Sequence, residues 1–249
     1  MARQSGLIKI KGTLDNVNFY KTKDGDLARM KTSVDKDRIK NDPAFERTRE
    51  NNAEFGTSAK AGKLVRDGAR PLSMTASDSK LVSRFTQLMT KIKNLDASSV
   101  RGERNIVQGL QDPSAPEMIK GFDFNKGAIL SSILFKPYSV NTSTGEITIN
   151  NLITQNDIVI PQGATHISLT GGFLGVDFAT GEQDLQLSNV ENLPIDMSSN
   201  NITLTPAGTP SANGLSMILL RLEFFQEVNG NQYTLKNGAY NALRVVEVA

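Results

Sequence analysis

The chain has 249 residues, a formal net charge of +2, no cysteine, no tryptophan and a single histidine. A chain of this length can bury about three quarters of its unfolded surface, which favours two domains or one domain with an appendage. The composition excludes a disulfide scaffold, thiolate catalysis and any cysteine-based metal site.

The N-terminus and the distribution of apolar residues predict a soluble protein. Residues 1–9 lack the apolar run of about 7–15 residues that a secretory signal contains. No segment approaches the roughly 20 apolar residues of a membrane span. We therefore expect synthesis in the cytoplasm without a classical signal peptide. The final location is left open, and one alternative is an extracellular or virion-like assembly.

The small net charge hides a marked asymmetry along the chain. Residues 1–120 carry a net charge of +8, whereas residues 121–249 carry a net charge of −6. This polarity suits head-to-tail association, in which the basic part of one copy meets the acidic part of the next. It also suits nucleic-acid binding by the basic half, or charge that is solvated on both faces with no partner.

Three short strands are predicted at the N-terminus, at Leu7–Lys11, Val17–Lys21 and Leu27–Lys31, with an Asp24–Gly25 turn signal before the last. Together with the charged connector Val34–Lys40 they form a predicted N-terminal region, residues 1–40. A β-ribbon of this size is marginal in isolation. It must pack on the helices, join the later sheet or lie against a neighbouring subunit.

The first predicted helix begins at Asn41 and continues to about Arg70, just before Pro71. Asp42 can cap the free amides at its start, and Pro43 suits the first helical position. One helical stripe of this helix is small and polar and is interrupted by glycines, so its apolar face is weak but a neighbouring backbone can come close. The stripe consists of Asn52, Phe55, Gly56, Ala59, Gly62 and Lys63. Two interpretations follow: a surface helix packed on its own domain, or a contact between subunits.

The second predicted helix is a stronger amphipath. Its apolar residues follow one helical face: Leu81, Val82, Phe85, Leu88, Met89, Ile92 and Leu95. We interpret this face as a core face, because a membrane-surface helix would carry more aromatic residues and a denser basic face.

The segment after Leu95 contains a predicted short helix and a predicted domain boundary. Arg101–Leu110 favours a short helix, and Pro113–Pro116 is the strongest boundary signal in the chain. We therefore predict a helical segment at 41–112 and a linker at 113–120.

The remaining residues, 121–249, follow a pattern of strands and turns. Predicted strands lie near Ile119–Phe124, Ile129–Tyr138, Glu146–Ile149, His166–Phe178, Asp184–Leu187, Ile202–Thr205, Leu215–Val228, Tyr233–Lys236 and Leu243–Val248. Turn residues such as Thr144–Gly145, Thr180–Gly181 and Asn237–Gly238 separate them. The predicted fold class is α+β: an N-terminal β-ribbon, a central helical segment and a C-terminal antiparallel β-sandwich of immunoglobulin-like type.

No residue pattern points to a catalytic site, a metal site or a bound cofactor. The only histidine, His166, lies in a predicted strand and has no nucleophile motif near it. One histidine also cannot supply a usual zinc site. The segment Gly56–Lys63 resembles a phosphate loop, but the glycine spacing is wrong and Leu64 follows the lysine. The carboxylate pairs Asp24/Asp26 and Asp35/Asp37 do not continue into a calcium loop.

Basic residues on the first helix are candidate contacts for an anion such as a nucleic-acid phosphate: Arg47, Arg49, Lys60, Lys63 and Arg66. Interleaved acidic residues dilute their field. No helix-turn-helix, zinc-finger or stacking-platform pattern accompanies them.

Several blocks of sequence resemble an uncharacterised bacterial family, a domain of unknown function. The resemblance rests on the opening residues 1–6, the strand Phe19–Lys21, the block Asn41–Asn51 and the tail segments Phe224–Gly230 and Leu235–Asn241. It extends over nearly the whole chain. It implies no activity, cofactor or catalytic residue.

The sequence therefore predicts a non-enzymatic structural protein that assembles with itself, into a tube, a filament or a virion-like shell. Phe19, Tyr20, Phe45 and Phe55 are the predicted assembly contacts. One alternative is a binding module whose β-sandwich loops hold a carbohydrate or a protein. A second alternative is a nucleic-acid-binding protein that acts through its basic half. No small-molecule substrate is identified, and an enzyme is the least favoured class.

Overall fold

The computed structural model describes residues 2–22, 25–31, 36–235 and 240–249. The predicted turn at Asn237–Gly238 lies outside these ranges, as do Asp24 of the first turn signal, Lys236 and the first residues of the connector Val34–Lys40. The chain divides into two compact units, Met1–Ala53 and Glu54–Ala249. We call them the N-terminal unit and the C-terminal unit.

The helices of the described residues are α1 Lys36–Asn41, α2 Glu46–Gly68, α3 Arg70–Ser73, α4 Leu81–Lys93, α5 Ile106–Gly109, α6 Ala115–Ile119, α7 Leu130–Ile133 and α8 Thr154–Asp157, with a 3-10 helix at Pro43–Phe45. The strands are β1 Ala2–Arg3, β2 Gly12–Leu14, β3 Val17–Thr22, β4 Gly25–Met30, β5 Ser139–Val140, β6 Ile147–Ile153, β7 His166–Val176, β8 Gln183–Pro194, β9 Ser199–Leu204, β10 Leu215–Val228, β11 Asn231–Thr234 and β12 Ala242–Val248.

The predicted helix start at Asp42 is confirmed, although the first turn differs in type. The Asp42 carboxylate accepts a hydrogen bond from the Ala44 amide at 2.9 Å, and Pro43 occupies the first helical turn. That turn is a 3-10 helix, and α2 begins only at Glu46. Pro71 does not end the helical region, because it lies in the first turn of the short helix α3.

Helix α4 contains the predicted apolar face except for its last residue, Leu95, and most of that face is buried. Phe85, Met89 and Ile92 are fully buried, and Leu81 and Leu88 are nearly so. Val82 is the exception, since 56% of it is exposed. Val82 lies at the edge of the apolar stripe. The orientation of the helix about its own axis decides whether a residue at that edge faces the core or the solvent.

The N-terminal unit contains an antiparallel four-stranded sheet in the order β1-β4-β3-β2. Strands β3 and β4 correspond to two of the predicted strands. The third, predicted at Leu7–Lys11, is wrong: Leu7 and Ile8 lie in a bend and are 105% and 85% exposed, and the next three residues form no regular structure. Alternation of apolar and basic residues favours a strand only if another element covers its apolar side.

The C-terminal unit contains two antiparallel sheets. In the larger sheet, β7 lies between β8 and β10, and both β11 and β12 pair with the other edge of β10. The smaller sheet has the order β5-β6-β9. Strand β10 is central, as its apolar sequence predicts, and it pairs with β7 over eleven residues from Leu215 to Phe225.

The two faces of the larger sheet contribute to two separate apolar clusters. Alternate residues of β10, such as Met217 and Leu219, join a cluster with α2, α4 and α6. The intervening residues, such as Leu220 and Leu222, join a second cluster with β6 and β9 of the smaller sheet. The larger sheet is therefore buried on both sides, which explains why β10 is almost continuously apolar.

The region between α4 and β5 differs from its predicted structure. The strands predicted at Ile119–Phe124 and Ile129–Tyr138 are replaced by the end of α6, isolated bridges and α7. The segment predicted as a linker, residues 113–120, contains α6, whose Ala115 and Ile119 are fully buried. The two compact units divide the chain between Ala53 and Glu54, within α2, and the predicted domain boundaries at 40, 112 and 120 stay predictions.

Candidate interaction surfaces

The register of the N-terminal sheet places most of its apolar residues on one face, which also carries the Lys21–Asp26 pair. Directly paired residues lie on the same face of a sheet, and neighbours along a strand alternate. The pairs are Val17 with Leu14 and Met30, and Phe19 with Gly12 and Ala28, while Ala2 also pairs with Ala28. We call Ala2, Leu14, Val17, Phe19, Ala28 and Met30 the apolar sheet face.

The opposite face of this sheet is mostly polar and includes the predicted contact Tyr20. Tyr20 pairs with Leu27, and Asn18 pairs with Arg29 on the same side. The Arg29 guanidinium lies 5.5 Å from the centre of the Tyr20 ring, a cation–π distance. The structure therefore separates the predicted contacts Phe19 and Tyr20, because adjacent strand residues point to opposite faces.

No described residue of the N-terminal unit is buried. Residues 2–22, 25–31 and 36–53 are all half-buried or exposed. On the apolar sheet face, Leu14 and Met30 are 61% and 69% exposed. A four-stranded sheet without a buried side chain lacks the apolar burial that stabilises small folds.

The C-terminal unit carries a groove between α2 and α4, which we call the helix groove. It has a volume of about 630 Å³ and is lined by Phe55, Ala59, Val82, Ser83, Thr86, Gln87, Thr90 and Lys91. Phe55 is 60% exposed on one wall, and Val82 is exposed on the other. Large apolar side chains on opposite walls of an open groove are typical of a docking surface.

The groove lining is more apolar than its residue types suggest. The Thr86 hydroxyl donates to the Val82 carbonyl at 2.9 Å, and the Thr90 hydroxyl donates to the Thr86 carbonyl at 2.7 Å. Both hydroxyls are therefore satisfied by their own helix. The methyl groups of these two threonines add to the apolar lining of the groove.

Close packing and a buried ion cluster hold the two walls of the groove together. A Cβ at Gly62 of α2 would lie 3.4 Å from Phe85 of α4, so the small residue allows this approach. Glu54 of α2 forms a buried ion pair with Lys93 of α4 and accepts hydrogen bonds from Gly102 and Arg104 at 2.8 and 3.0 Å. The small residue on this stripe of α2 therefore packs against α4 of the same chain.

The charge state of Glu54 follows from this cluster. Burial by itself raises the pKa of the Glu54 carboxyl, but hydrogen bonds from Lys93, Gly102 and Arg104 outweigh burial and lower the pKa to about 2. Glu54 is therefore ionised at neutral pH. Separation of α2 from α4 at this pair would leave a buried charge without its partner, which opposes movement of the two helices.

The predicted contact Phe45 does not line the helix groove. It ends the 3-10 helix of the N-terminal unit, where the Arg38 guanidinium lies 5.5 Å from its ring centre. Arg38 also pairs with Asp42 at 3.2 Å. Its ring is half-buried by these local contacts.

Most of the candidate anion contacts have partners within the chain. Arg47 pairs with Glu50 at 2.9 Å, and Lys63 pairs with Asp67 at 2.6 Å, both one helical turn apart. Arg49 donates to the carbonyls of Ile39 and Asp42 at 3.0 and 2.9 Å. Arg49 therefore ties α1 to the 3-10 helix.

The other two candidates, Lys60 and Arg66, lie on different sides of α2. Lys60 is exposed and lines a pocket of about 290 Å³ together with residues of α5 and the β7–β8 turn. Burial lowers the pKa of Arg66, whose Nη1 atom lies against Gly62 without a hydrogen-bond partner. Within the C-terminal unit, Lys60 and Arg66 therefore do not share one surface.

His166 lies at the start of β7, in agreement with its interpretation as a strand residue. Its Nδ1 atom is 3.0 Å from the Thr165 hydroxyl, and its Nε2 atom is 3.6 Å from the Glu227 carboxylate. Among the described residues, no group of three or more His, Asp or Glu side chains is arranged to hold a metal ion. In the same ranges, no helix has both the length and the apolarity to cross a bilayer.

Phe19 and Phe55 were predicted contacts, whereas the residues beside them on the two apolar surfaces were not predicted. Strand alternation places Leu14 and Met30 on the same face as Phe19 only when the register of the strands is known. The sequence alone does not provide that register. Val82 was assigned to the core because it adjoins an apolar stripe. No sequence pattern pointed to Thr86 and Thr90 as groove residues. Their side chains contribute apolar surface only because their hydroxyls donate to carbonyls of their own helix.

No family model matches the chain, and neither does any curated protein or any solved structure. The resemblance to a bacterial family therefore stays a prediction.

Proposed function

We propose that this protein is a non-enzymatic structural protein that assembles with itself into a homo-oligomer. The observation that carries the proposal is the N-terminal unit, whose described residues form an ordered sheet with an apolar face yet include no buried side chain. A sheet with an uncovered apolar face gains stability when another surface removes that face from water. A surface present on every copy is the simplest cover.

The charge distribution supports the same proposal. Residues 1–53 carry a net charge of +4, and residues 54–249 carry a net charge of −2. Contact between the N-terminal unit of one copy and the C-terminal unit of another therefore joins opposite net charges. The local pairing of Arg47, Arg49 and Lys63 makes a nucleic-acid phosphate a weaker candidate partner.

The proposed form of the C-terminal unit is a two-sheet β-sandwich. The cluster shared by β6, β9 and β10 supports it, because sandwich cores form from the facing sides of two sheets. The immunoglobulin-like arrangement of strands stays a prediction, and the ligand-binding alternative depends on it.

The experiment that tests the function measures the mass of the full-length protein. Size-exclusion chromatography with light scattering, run at low and moderate salt, should return an oligomer, and negative-stain imaging should show particles of regular shape. A strict monomer at high concentration in both conditions contradicts self-assembly. A species that assembles only with added DNA supports the nucleic-acid alternative instead.

A further inference from the structure

Two cavities beside α4 join into one surface of the C-terminal unit. The first is the helix groove, and the second is a pocket of about 320 Å³ at the start of α4. Ser83 and Gln87 line both cavities, so the two share a wall. The other residues that line the pocket are polar or charged: Asp78, Ser79, Lys80, Arg84 and Lys126. We call the two cavities together the α4 surface.

The α4 surface is cationic. Its lining includes four basic residues and one carboxylate: Lys80, Arg84, Lys91, Lys126 and Asp78. Asp78 is already neutralised, because it pairs with Arg84 and accepts hydrogen bonds from the amides of Lys80 and Lys126 at 2.7 Å each. The ammonium groups of Lys80, Lys91 and Lys126 are exposed and have no ion-pair partner within the described part of the chain.

The apolar and basic parts of the groove lie on different sides of α4. At about 100° per residue, Thr86 and Thr90 lie within about 80° of Val82 around the helix axis, whereas Lys91 lies about 180° from it. The groove therefore has an apolar lining with a basic border on one side. Lys80 and Lys126 extend this border into the adjoining pocket.

We propose that the α4 surface binds an amphipathic helix of a partner protein, with an apolar face that is flanked by Asp or Glu side chains. Amphipathic helices bind other proteins by placing their apolar face in such a groove. Acidic flanking residues are complementary to the three lysines, and complementary charge favours encounter and fixes orientation. The inference goes beyond the proposed function, because the occupant is not a copy of this chain.

The sign of the charge argues against the N-terminal unit as the occupant. That unit carries a net charge of +4, so its approach to the three lysines would bring like charges together. The concave shape also favours a helix over an anionic membrane, because a flat lipid layer would not reach the lining of the groove. An acidic helix satisfies both the charge and the shape.

The length of the groove suits a short helix. From Val82 to Lys91 the groove extends about 14 Å along α4, which is about two and a half helical turns. Anchor residues of a bound helix lie at positions i, i+3 or i+4, and i+7. The first and last of these anchors are about 10.5 Å apart, so all of them fit within the groove.

The test measures binding of two synthetic peptides to the full-length protein. Each is about 14 residues long, carries leucine at every third or fourth position and is held helical by a cross-link on its outer side, because a free helix of this length is marginal in water. The acidic peptide has glutamate beside the leucines, and the basic peptide has lysine at the same places. Fluorescence anisotropy of the labelled peptides gives the two dissociation constants.

The acidic peptide should bind saturably with a micromolar dissociation constant, and the basic peptide should bind at least about 10-fold more weakly. Equal affinity of the two peptides overturns the proposal. Absence of saturable binding of the acidic peptide up to about 1 mM also overturns it.

Substitutions locate the bound peptide on the protein. Val82→Glu should weaken the acidic peptide at least about 10-fold, because it puts a like charge in the apolar lining. Val190→Glu is its control, since Val190 is 57% exposed, compared with 56% for Val82, and lies outside both cavities. Lys91→Glu should weaken binding about two- to fivefold, and Lys60→Glu, in a different pocket, should not. Equal effects of a variant and its control overturn the assigned surface.

A reversal of preference is the decisive result. A protein with both Lys80→Glu and Lys91→Glu should bind the basic peptide more tightly than the acidic one, since the border of the groove is then acidic. A general loss of stability cannot produce such a reversal. A double variant that still prefers the acidic peptide overturns the charge complementarity. Circular dichroism checks each fold, and Val82→Ser replaces Val82→Glu if that variant is unfolded.

Two further measurements distinguish other occupants of the α4 surface. If Val82→Glu converts an oligomeric wild type to a monomer and the acidic peptide does not bind, a second copy occupies the groove and the proposal is overturned. Binding to phosphatidylglycerol vesicles that the acidic peptide does not displace assigns the surface to a membrane instead. A monomeric wild type that binds the acidic peptide contradicts only the proposed function.

Discussion

The carboxylate of Glu54 on α2 forms a buried ion pair with the ammonium group of Lys93 at the end of α4. Thirty-nine residues separate the two in sequence, and they are 3% and 5% exposed. The same carboxylate binds Gly102 and Arg104, so one side chain joins α2, α4 and the loop that follows. Replacement of one partner in such a cluster leaves an uncompensated buried charge.

Glu54→Gln should therefore lower the free energy of unfolding by about 3 kcal/mol. The substitution preserves the shape of the side chain but leaves Lys93 without a counter-charge in a buried position. Urea unfolding at neutral pH measures the effect. Asp67→Asn is the matched control on the same helix, because the Lys63–Asp67 pair is exposed and should be worth less than about 0.5 kcal/mol. Equal losses for both variants contradict the prediction.

The stability contributed by Glu54 should disappear in acid. Its pKa is about 2 in the folded protein, against 4.5 for an ordinary glutamate. The folded state thus favours the ionised form, and the stabilisation is complete above the ordinary pKa and is lost as the pH falls toward about 2. The difference in unfolding free energy between wild type and Glu54→Gln should narrow over this interval. A difference that stays constant down to about pH 3 argues against the assignment.

Two hairpin turns have the same Thr-Gly pattern and the same backbone hydrogen bond, but different atoms surround their glycines. The same glycine-to-alanine substitution can therefore be compared in the two turns. Asn141–Glu146 and Asp177–Glu182 both place a glycine with positive φ after a threonine, at Gly145 and Gly181, and both glycine amides donate to the first residue of the turn. A Cβ at Gly145 would lie 2.6 Å from the Phe173 ring, whereas nothing lies within 4 Å at Gly181.

Gly145→Ala should destabilise the protein more than Gly181→Ala. Both substitutions incur the cost of a positive φ, about 1–2 kcal/mol, and only the first also forces the buried Phe173 ring to move. Thermal unfolding of the two variants measures the difference. Identical melting temperatures contradict the close approach of Phe173.

Truncation of Phe85 should destabilise the protein much more than truncation of Phe55. Phe85 is fully buried, with ring centres of Phe122 and Phe124 at 4.2 and 5.2 Å, so Phe85→Ala should cost about 3–5 kcal/mol of unfolding free energy. Phe55 is 60% exposed, and Phe55→Ala should cost less than about 1 kcal/mol in dilute protein. Denaturant unfolding below the assembly concentration measures both, and a large loss for Phe55→Ala assigns that residue to the core.

Assembly should weaken as salt rises. The two units carry net charges of +4 and −2, and ions screen charges beyond about 8 Å at physiological ionic strength. Light scattering across a salt series should show the mean mass falling between low and moderate salt. A mass that rises with salt indicates an interface dominated by apolar burial, which salt strengthens.

Local patterns in the sequence predicted a substantial part of this structure. Helix α4 follows from a 3.6-residue apolar period, the helix start follows from Asp42 and Pro43, and strand β10 matches its predicted bounds from Leu215 to Val228. The residues that produce these signals are close in sequence. Of the predicted assembly contacts, Phe19 and Phe55 lie on exposed or half-buried apolar surfaces, whereas Tyr20 and Phe45 each lie against an arginine.

The sequence by itself determined the amphipathic helix, the turn chemistry and the uneven charge of the two ends. Only the tertiary structure decided that Leu7–Lys11 forms no strand, that Pro113–Pro116 leads into a helix with two buried residues, and that Glu54 meets Lys93. The reason is physical: periodicity and capping depend on neighbours within about one or two turns of chain. Burial and buried ion pairs depend on elements far apart in sequence.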